Sequence, residues 1–184
     1  TLAHYRKREA RQRVLKARLQ QAGEGVAITA DGVPVSVMGN IEFPEEAEQA
    51  SLRGADGIGL YRTEFLYMDG FRERTEADHF AAYRRVVESF GERPVTIRTL
   101  DVGADKIPAS LRPIFRGVQN RELGLRSIRI SLEYTDLFKT QLRAILRAAV
   151  GHNLKMMFPL ISSLSELRQA KMILRDVMED LEEE

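Results

Sequence analysis

Four short apolar runs, each followed by a segment of helical period, constrain this chain more than any other feature. The runs are Val33-Pro34-Val35-Ser36-Val37-Met38, Ile58-Gly59-Leu60-Tyr61, Pro94-Val95-Thr96-Ile97 and Leu154-Lys155-Met156-Met157-Phe158. The first helical segment begins at Pro44, with Glu45 and Glu46 in the turn where the helix dipole favours acids, and runs to Arg53, where Gly54 supplies a left-handed stop. Residues 75–91 place Phe80, Tyr83, Val86, Val87 and Phe90 on one helical face. Residues 121–150 read as helix in two pieces, broken near Glu133-Tyr134-Thr135-Asp136. Ser163-Leu164-Ser165-Glu166 has the form of a capping box and opens the last helix. Strands alternating with helices predict an α/β fold with parallel pairing and right-handed crossovers.

Two architectures satisfy that order, a doubly wound sheet and a βα barrel. No glycine-rich phosphate loop follows the first run, as a doubly wound nucleotide-binding sheet would normally show. Instead Asn40, Arg62 and Arg98 stand just past the carboxyl ends of the first three runs, where barrel active sites assemble. The expected fold is therefore parallel (βα) units forming the amino-terminal half of a TIM-type (β/α)8 barrel. A basic linker helix over residues 3–22 precedes it, rich in Arg and Lys and ended by Gly23 and Gly25. The domain reading is 1–29 for the linker helix and lead-in, and 30–184 for the half-barrel. A full barrel needs about 250 residues, the chain starts at Thr1, and it stops within a helical pattern. It is expected to be a piece of something longer.

Composition narrows the function classes. The net charge is +1, from 28 basic and 27 acidic side chains, so there is no global field to draw nucleic acid or an anionic membrane. The basic start lacks the aromatic or glycine-rich elements that read single strands. There is no cysteine, which removes disulfides and thiolate chemistry. No signal peptide or transmembrane stretch is visible, and a cytoplasmic location is expected.

The chemistry concentrates in a repeated pattern, an apolar run followed by Arg-Thr, at Arg62-Thr63 and Arg98-Thr99. Two guanidiniums at one barrel mouth repel unless an anion lies between them, and a guanidinium fork matches phosphate or carboxylate. The competing reading is structural, with Glu64 or Asp101 neutralising each arginine. Thr63 and Glu64 are expected to orient the Arg62 guanidinium. Arg126 and Arg129, three apart, are read as sharing a helix face; one reaches the anion site and the other bonds a carboxylate outside it. Lys106 lies on the long connection after the third strand. His4, His79 and His152 show no context that marks a phosphate acceptor or metal ligand. No carboxylates have metal-ligand spacing.

Residues 54–69, Gly-Ala-Asp-Gly-Ile-Gly-Leu-Tyr-Arg-Thr-Glu-Phe-Leu-Tyr-Met-Asp, resemble the phosphoenolpyruvate-utilising barrel of enzyme I of the phosphotransferase system. The resemblance continues through Phe80-Ala-Ala-Tyr83, Ile97-Arg-Thr-Leu-Asp101, Asp105-Lys106, Asn120, Leu123-Gly124 with Arg126, Ile128 and Arg129, the run from Gln141 to Ala148, and Met157-Phe-Pro159. It covers nearly everything from residue 30 to the end. It departs at Ala104, where relatives commonly have glycine, and at Arg121, where they have proline.

This resemblance implies that Arg62 and Arg98 bind phosphoenolpyruvate, with Arg126 near the site and Asn40, Thr63, Glu64, Asp101 and Lys106 supporting. It implies a phosphotransferase that moves phosphate from phosphoenolpyruvate to its own histidine and on to a small phosphocarrier protein, in sugar uptake or nitrogen regulation. It implies Mg²⁺, with the metal ligands beyond Glu184 and the acceptor histidine upstream of Thr1, so that no catalytic residue lies in this chain. A homodimer is implied for the longer protein, with no nucleic-acid or membrane partner. The alternatives are a pyruvate phosphate dikinase or phosphoenolpyruvate synthase barrel, or an inactive dimerisation or interaction fragment.

Overall fold

The computed structural model describes residues 2–22, 25–68, 74–103 and 124–184. The elements in order are α1 (Leu2–Ala22), β1 (Met38–Ile41), α2 (Glu45–Leu52), β2 (Gly57–Arg62), α3 (Glu64–Met68), α4 (Glu76–Phe90), β3 (Val95–Arg98), α5 (Ile128–Glu133), α6 (Thr135–Ala149), β4 (Leu154–Met157) and α7 (Leu164–Glu183). The four strands form one parallel sheet in the order β1-β2-β3-β4. The α/β class and the parallel pairing follow the sequence pattern.

Local chemistry explains most boundaries. Thr75 accepts from the Asp78 amide while the Asp78 carboxylate accepts from the Thr75 amide at 2.9 Å, a complete capping box for α4. Gly91 ends that helix at φ 58°, a left-handed value that suits glycine. Ser163 and Glu166 form the equivalent box on α7, as the sequence predicts.

One face of the sheet carries the core. Ile41, Ile58, Tyr61, Val95 and Ile97 pack against Ala47 of α2, Tyr83, Val86, Val87 and Phe90 of α4, and Ala144, Ile145 and Ala148 of α6. A second cluster joins α5, α6 and α7 through Ile128, Phe138, Leu142, Ala170, Ile173 and Val177, with Met156 and Phe158 against it. The backbone of β2 lies close to both neighbouring strands. A Cβ on Gly57 would lie 2.3 Å from the Pro94 carbonyl oxygen, and one on Gly59 would lie 2.9 Å from Met38 Cβ. Side-chain alternation puts Arg62, Arg98 and Met157 on the face opposite Tyr61, Ile97 and Met156. The ladder pairs Arg62 with Arg98 and Arg98 with Met157.

Two expectations need correction. The first strand is Met38–Ile41, not residues 33–38. Val33, Val35 and Val37 are exposed, and an Asp31-Gly32 turn instead folds Pro34 back against Ile28 as an isolated antiparallel bridge. The ladder to β2 starts at Met38 with Gly57. Asn40 therefore lies within β1, exposed, rather than past its end. Second, α5 begins at Ile128, so Arg126 precedes the helix and does not share a helix face with Arg129. Ser127 stands between them at φ 50°, which breaks any helical continuity from residue 126. The apolar block after Arg62, for which sequence reading assigns no element, forms the short α3. A run of Phe-Leu-Tyr-Met has no helical period to read, and the helix is set by its packing on α4 and the sheet.

Candidate functional site

Arg62 is the last residue of β2 and Arg98 the last of β3, and they are register partners in adjacent parallel strands. Neighbouring strands run roughly 5 Å apart, so the two guanidiniums start from neighbouring points at the carboxyl edge of the sheet. Carboxylates neutralise both. Arg62 Nη1 meets Glu42 Oε1 at 3.1 Å, with each side chain 38% exposed. Arg98 sits deeper. Its Nη2 bonds Glu64 Oε1 at 2.7 Å and its Nη1 bonds Asp101 Oδ2 at 2.8 Å.

The structural pairing anticipated for Glu64 and Asp101 is therefore real, and both acids act on Arg98. Glu64 does not orient Arg62. That role falls to Glu42, which sequence reading did not single out. The signal was available: Glu42 directly follows Ile41, whose register partner is Tyr61, so Glu42 ends beside Arg62. Thr63 likewise serves the third strand, because its hydroxyl donates to the Arg98 carbonyl at 2.8 Å. Asp101 in turn accepts from the Ser127 hydroxyl, which brings the segment holding Arg126 to the Arg98 cluster. Arg126 is half-buried there. Lys106 lies outside the described residues.

A guanidinium has five N–H donors. Glu42 takes one from Arg62, and Glu64 and Asp101 take two from Arg98. Donors remain on both, so an anion can be held without displacing any carboxylate. Arg98 Nε and Glu64 Oε2 are enclosed and have no hydrogen-bond partner among the described residues.

Arg129 does something else. Its Nε bonds Glu166 Oε1 at 3.0 Å and its Nη2 donates to Ser162 Oγ at 3.1 Å. Glu166 is held down to about 2, chiefly by the Ser162 amide and then by this guanidinium. Arg129 is thus the member of the basic pair that bonds a carboxylate outside the site, tying α5 to the start of α7.

Behind the arginines runs a buried polar chain that sequence reading missed. Gln141 on α6 is 1% exposed. Its Oε1 accepts from the Leu100 amide at 2.9 Å, and its Nε2 donates to Thr63 Oγ1 and to the Tyr83 hydroxyl, both at 3.0 Å. Tyr83 is 3.2 Å from His79 Nδ1. Burial lowers the His79 pKa to about 4; nearby Arg74 works the same way and Asp78 against it. The unfolded chain therefore binds a proton between about pH 4 and 6.5 that the folded chain refuses, so stability rises with pH across that window. The melting temperature is expected to be full above pH 6.5 and to fall toward pH 4. In His79→Gln that slope should flatten; a thermal-melt series showing an unchanged slope would refute the assignment.

The described residues contain no group of three His, Cys, Asp or Glu side chains placed to hold a metal. Glu42, Glu64 and Asp101 are all engaged by guanidiniums, so they do not by themselves make a magnesium site. No described helix is long and apolar enough to cross a membrane.

Paired arginines at the carboxyl ends of parallel strands do not by themselves name a protein family, and comparison with known proteins supplies one. Residues 16–184 match the family described as PEP-utilising enzyme, PEP-binding domain. The chain belongs to this family. The PEP-binding domain is 45% identical over 186 residues to phosphoenolpyruvate-protein phosphotransferases of Bacillus sp. (strain S) and Geobacillus stearothermophilus, covering 98% of this chain and 31% of each relative. It is 40% identical to that of Priestia megaterium, covering 100% of this chain and 32% of the relative. The PEP-binding domain thus spans about a third of the length of the curated relatives it matches. All three relatives are named as enzymes, and most of α1 precedes the matched residues.

Proposed function

We propose that this chain is the phosphoenolpyruvate-binding part of a phosphoenolpyruvate–protein phosphotransferase, with Arg62 and Arg98 as the clamp for the phosphate. The observation that carries this is the register pairing of the two arginines at the carboxyl ends of β2 and β3, each with donors left after its carboxylate. In the proposed mechanism, the arginines hold the phosphate oxygens and stabilise charge as the phosphoryl group leaves. Glu64 and Asp101 fix the Arg98 fork from below, Glu42 fixes Arg62, and Arg126 approaches from the α5 side. Asn40, exposed on β1, and Lys106 are further candidates for the rim of the same site.

The longer protein would pass phosphate to its own histidine and then to a small phosphocarrier protein. It would act as a cytoplasmic homodimer, in sugar uptake or nitrogen regulation, without nucleic-acid or membrane partners. Magnesium would be bound by groups outside the described residues and would neutralise phosphate charge. Consecutive strand order, with α2, α4 and α6 all on one face, supports reading residues 30–184 as half of a (β/α)8 barrel. The exposure of Leu2, Tyr5, Val14 and Leu15 supports α1 as a linker helix within residues 1–29.

The isolated chain is expected to transfer no phosphate and to bind phosphoenolpyruvate only at millimolar concentration, roughly −4 kcal/mol. An arginine-labelled sample titrated with phosphoenolpyruvate and Mg²⁺ should show the Arg62 and Arg98 Nε resonances shifting together. Micromolar affinity by calorimetry would contradict the proposed division of the site, and a titration that moves neither arginine would remove the clamp.

A further inference from the structure

We infer that Gln141 is a positioning residue for the anion site, acting on Arg98 from the helix layer behind the sheet; this rests on Arg98 being an anion ligand. Gln141 never touches the guanidinium. It fixes the backbone on the carboxyl side of it, at two points. Its Oε1 accepts from the amide of Leu100, two residues after Arg98, and its Nε2 donates to Thr63 Oγ1, which donates onward to the Arg98 carbonyl. The chain leaving β3 is therefore held at residue 98, through Thr63, and directly at residue 100 by one side chain, 1% exposed, from a helix 41 residues away in sequence.

The direction of each hydrogen bond that Gln141 makes is determined. The Leu100 amide can only donate, so the Gln141 oxygen must face it. Thr63 spends its proton on the Arg98 carbonyl and so accepts from the Gln141 nitrogen. The Tyr83 hydroxyl accepts the second amide proton and lies 3.2 Å from His79 Nδ1. Every donor and acceptor on Gln141 has one role, and the amide cannot flip without breaking three bonds in a buried site. Misplacing a binding group by a fraction of an ångström is enough to weaken a clamp severalfold.

The inference is tested on the whole chain with ¹⁵N-labelled arginine, comparing Gln141→Leu, Thr63→Val, Thr63→Ser and Arg98→Ala. Gln141→Leu and Thr63→Val are each expected to lower the ligand-free heteronuclear NOE of Arg98 Nε and weaken phosphoenolpyruvate binding about tenfold. Arg62 and Arg129 should keep their ligand-free NOE values. The double variant should lose less than the sum of the two single losses, because the two substitutions share the Gln141–Thr63 bond. Thr63→Ser, which keeps the hydroxyl, should retain both properties. A folded Gln141→Leu with parental Arg98 NOE and parental binding would overturn the inference, and so would a Thr63→Val that behaves like Thr63→Ser should Gln141→Leu not fold. Arg98→Ala separates the two levels. Unchanged binding in Arg98→Ala overturns the anion-site reading itself, whereas lost binding there with full binding in Gln141→Leu overturns only the positioning role.

Discussion

Replacing Arg98 with alanine is expected to abolish the response to phosphoenolpyruvate and also to destabilise the fold, by roughly 1–3 kcal/mol. The two effects have separate causes. Binding is lost because a charge-assisted donor fork disappears from the clamp. Stability is lost because Glu64, 12% exposed, and Asp101, 24% exposed, are left facing each other with no guanidinium between them. Arg62→Ala should weaken binding comparably while shifting stability by less than about 1 kcal/mol, because its partner Glu42 is as solvated as a surface ion pair. Combining Arg98→Ala with Glu64→Gln should recover part of the stability and none of the binding. Denaturant unfolding and the phosphoenolpyruvate titration, run on all four proteins, distinguish these outcomes. Equal stability loss in Arg62→Ala and Arg98→Ala would show that burial at β3 does not matter.

The second large effect is expected at Gly57. An alanine there would bring Cβ to 2.3 Å from the Pro94 carbonyl oxygen and 2.8 Å from Met38 Cε. The methionine end can swing away, but the carbonyl cannot. It accepts from the Ile58 amide at 2.9 Å, and that bond opens the β2–β3 pairing. Relief requires β2 and β3 to part or slip, which disturbs the ladder ending in the Arg62–Arg98 pair. Gly57→Ala should therefore cost about 2–4 kcal/mol, and it should lower phosphoenolpyruvate affinity although it lies at the opposite end of the strand. Gly32→Ala is a useful contrast. It has open space around it and pays only for its φ of 88°, about 1 kcal/mol, with no change in binding. A Gly57→Ala protein as stable as the parent would mean the strands are not packed as described.

Much of this protein is determined by local sequence. The alternation of apolar runs with helical segments dictates an α/β chain with parallel strands, because consecutive strands joined by helices can pair in no other common way. Capping boxes at Thr75 and Ser163 set helix starts through bonds spanning three residues, so they are legible without any tertiary knowledge. The twin Arg-Thr endings of β2 and β3 place the two arginines for the same reason: strand period and strand end fix where a side chain leaves the sheet.

Other features depended on groups brought together from afar. Val33 to Val37 read as a strand by alternation, but whether that run joins the ladder depends on which residues β2 offers it, and β2 begins pairing at Met38. Glu64 follows Arg62 by two residues yet bonds Arg98, because a helix start turns the chain toward β3 as soon as β2 ends. Gln141 reads as one more polar residue on an amphipathic helix. Only packing of α6 behind the sheet places it against Thr63, 78 residues earlier, and Leu100. Sequence order determined the strands, the caps and the two arginines; tertiary contact decided which acid holds which arginine and what holds them in register, since each of those bonds joins residues that no local period relates.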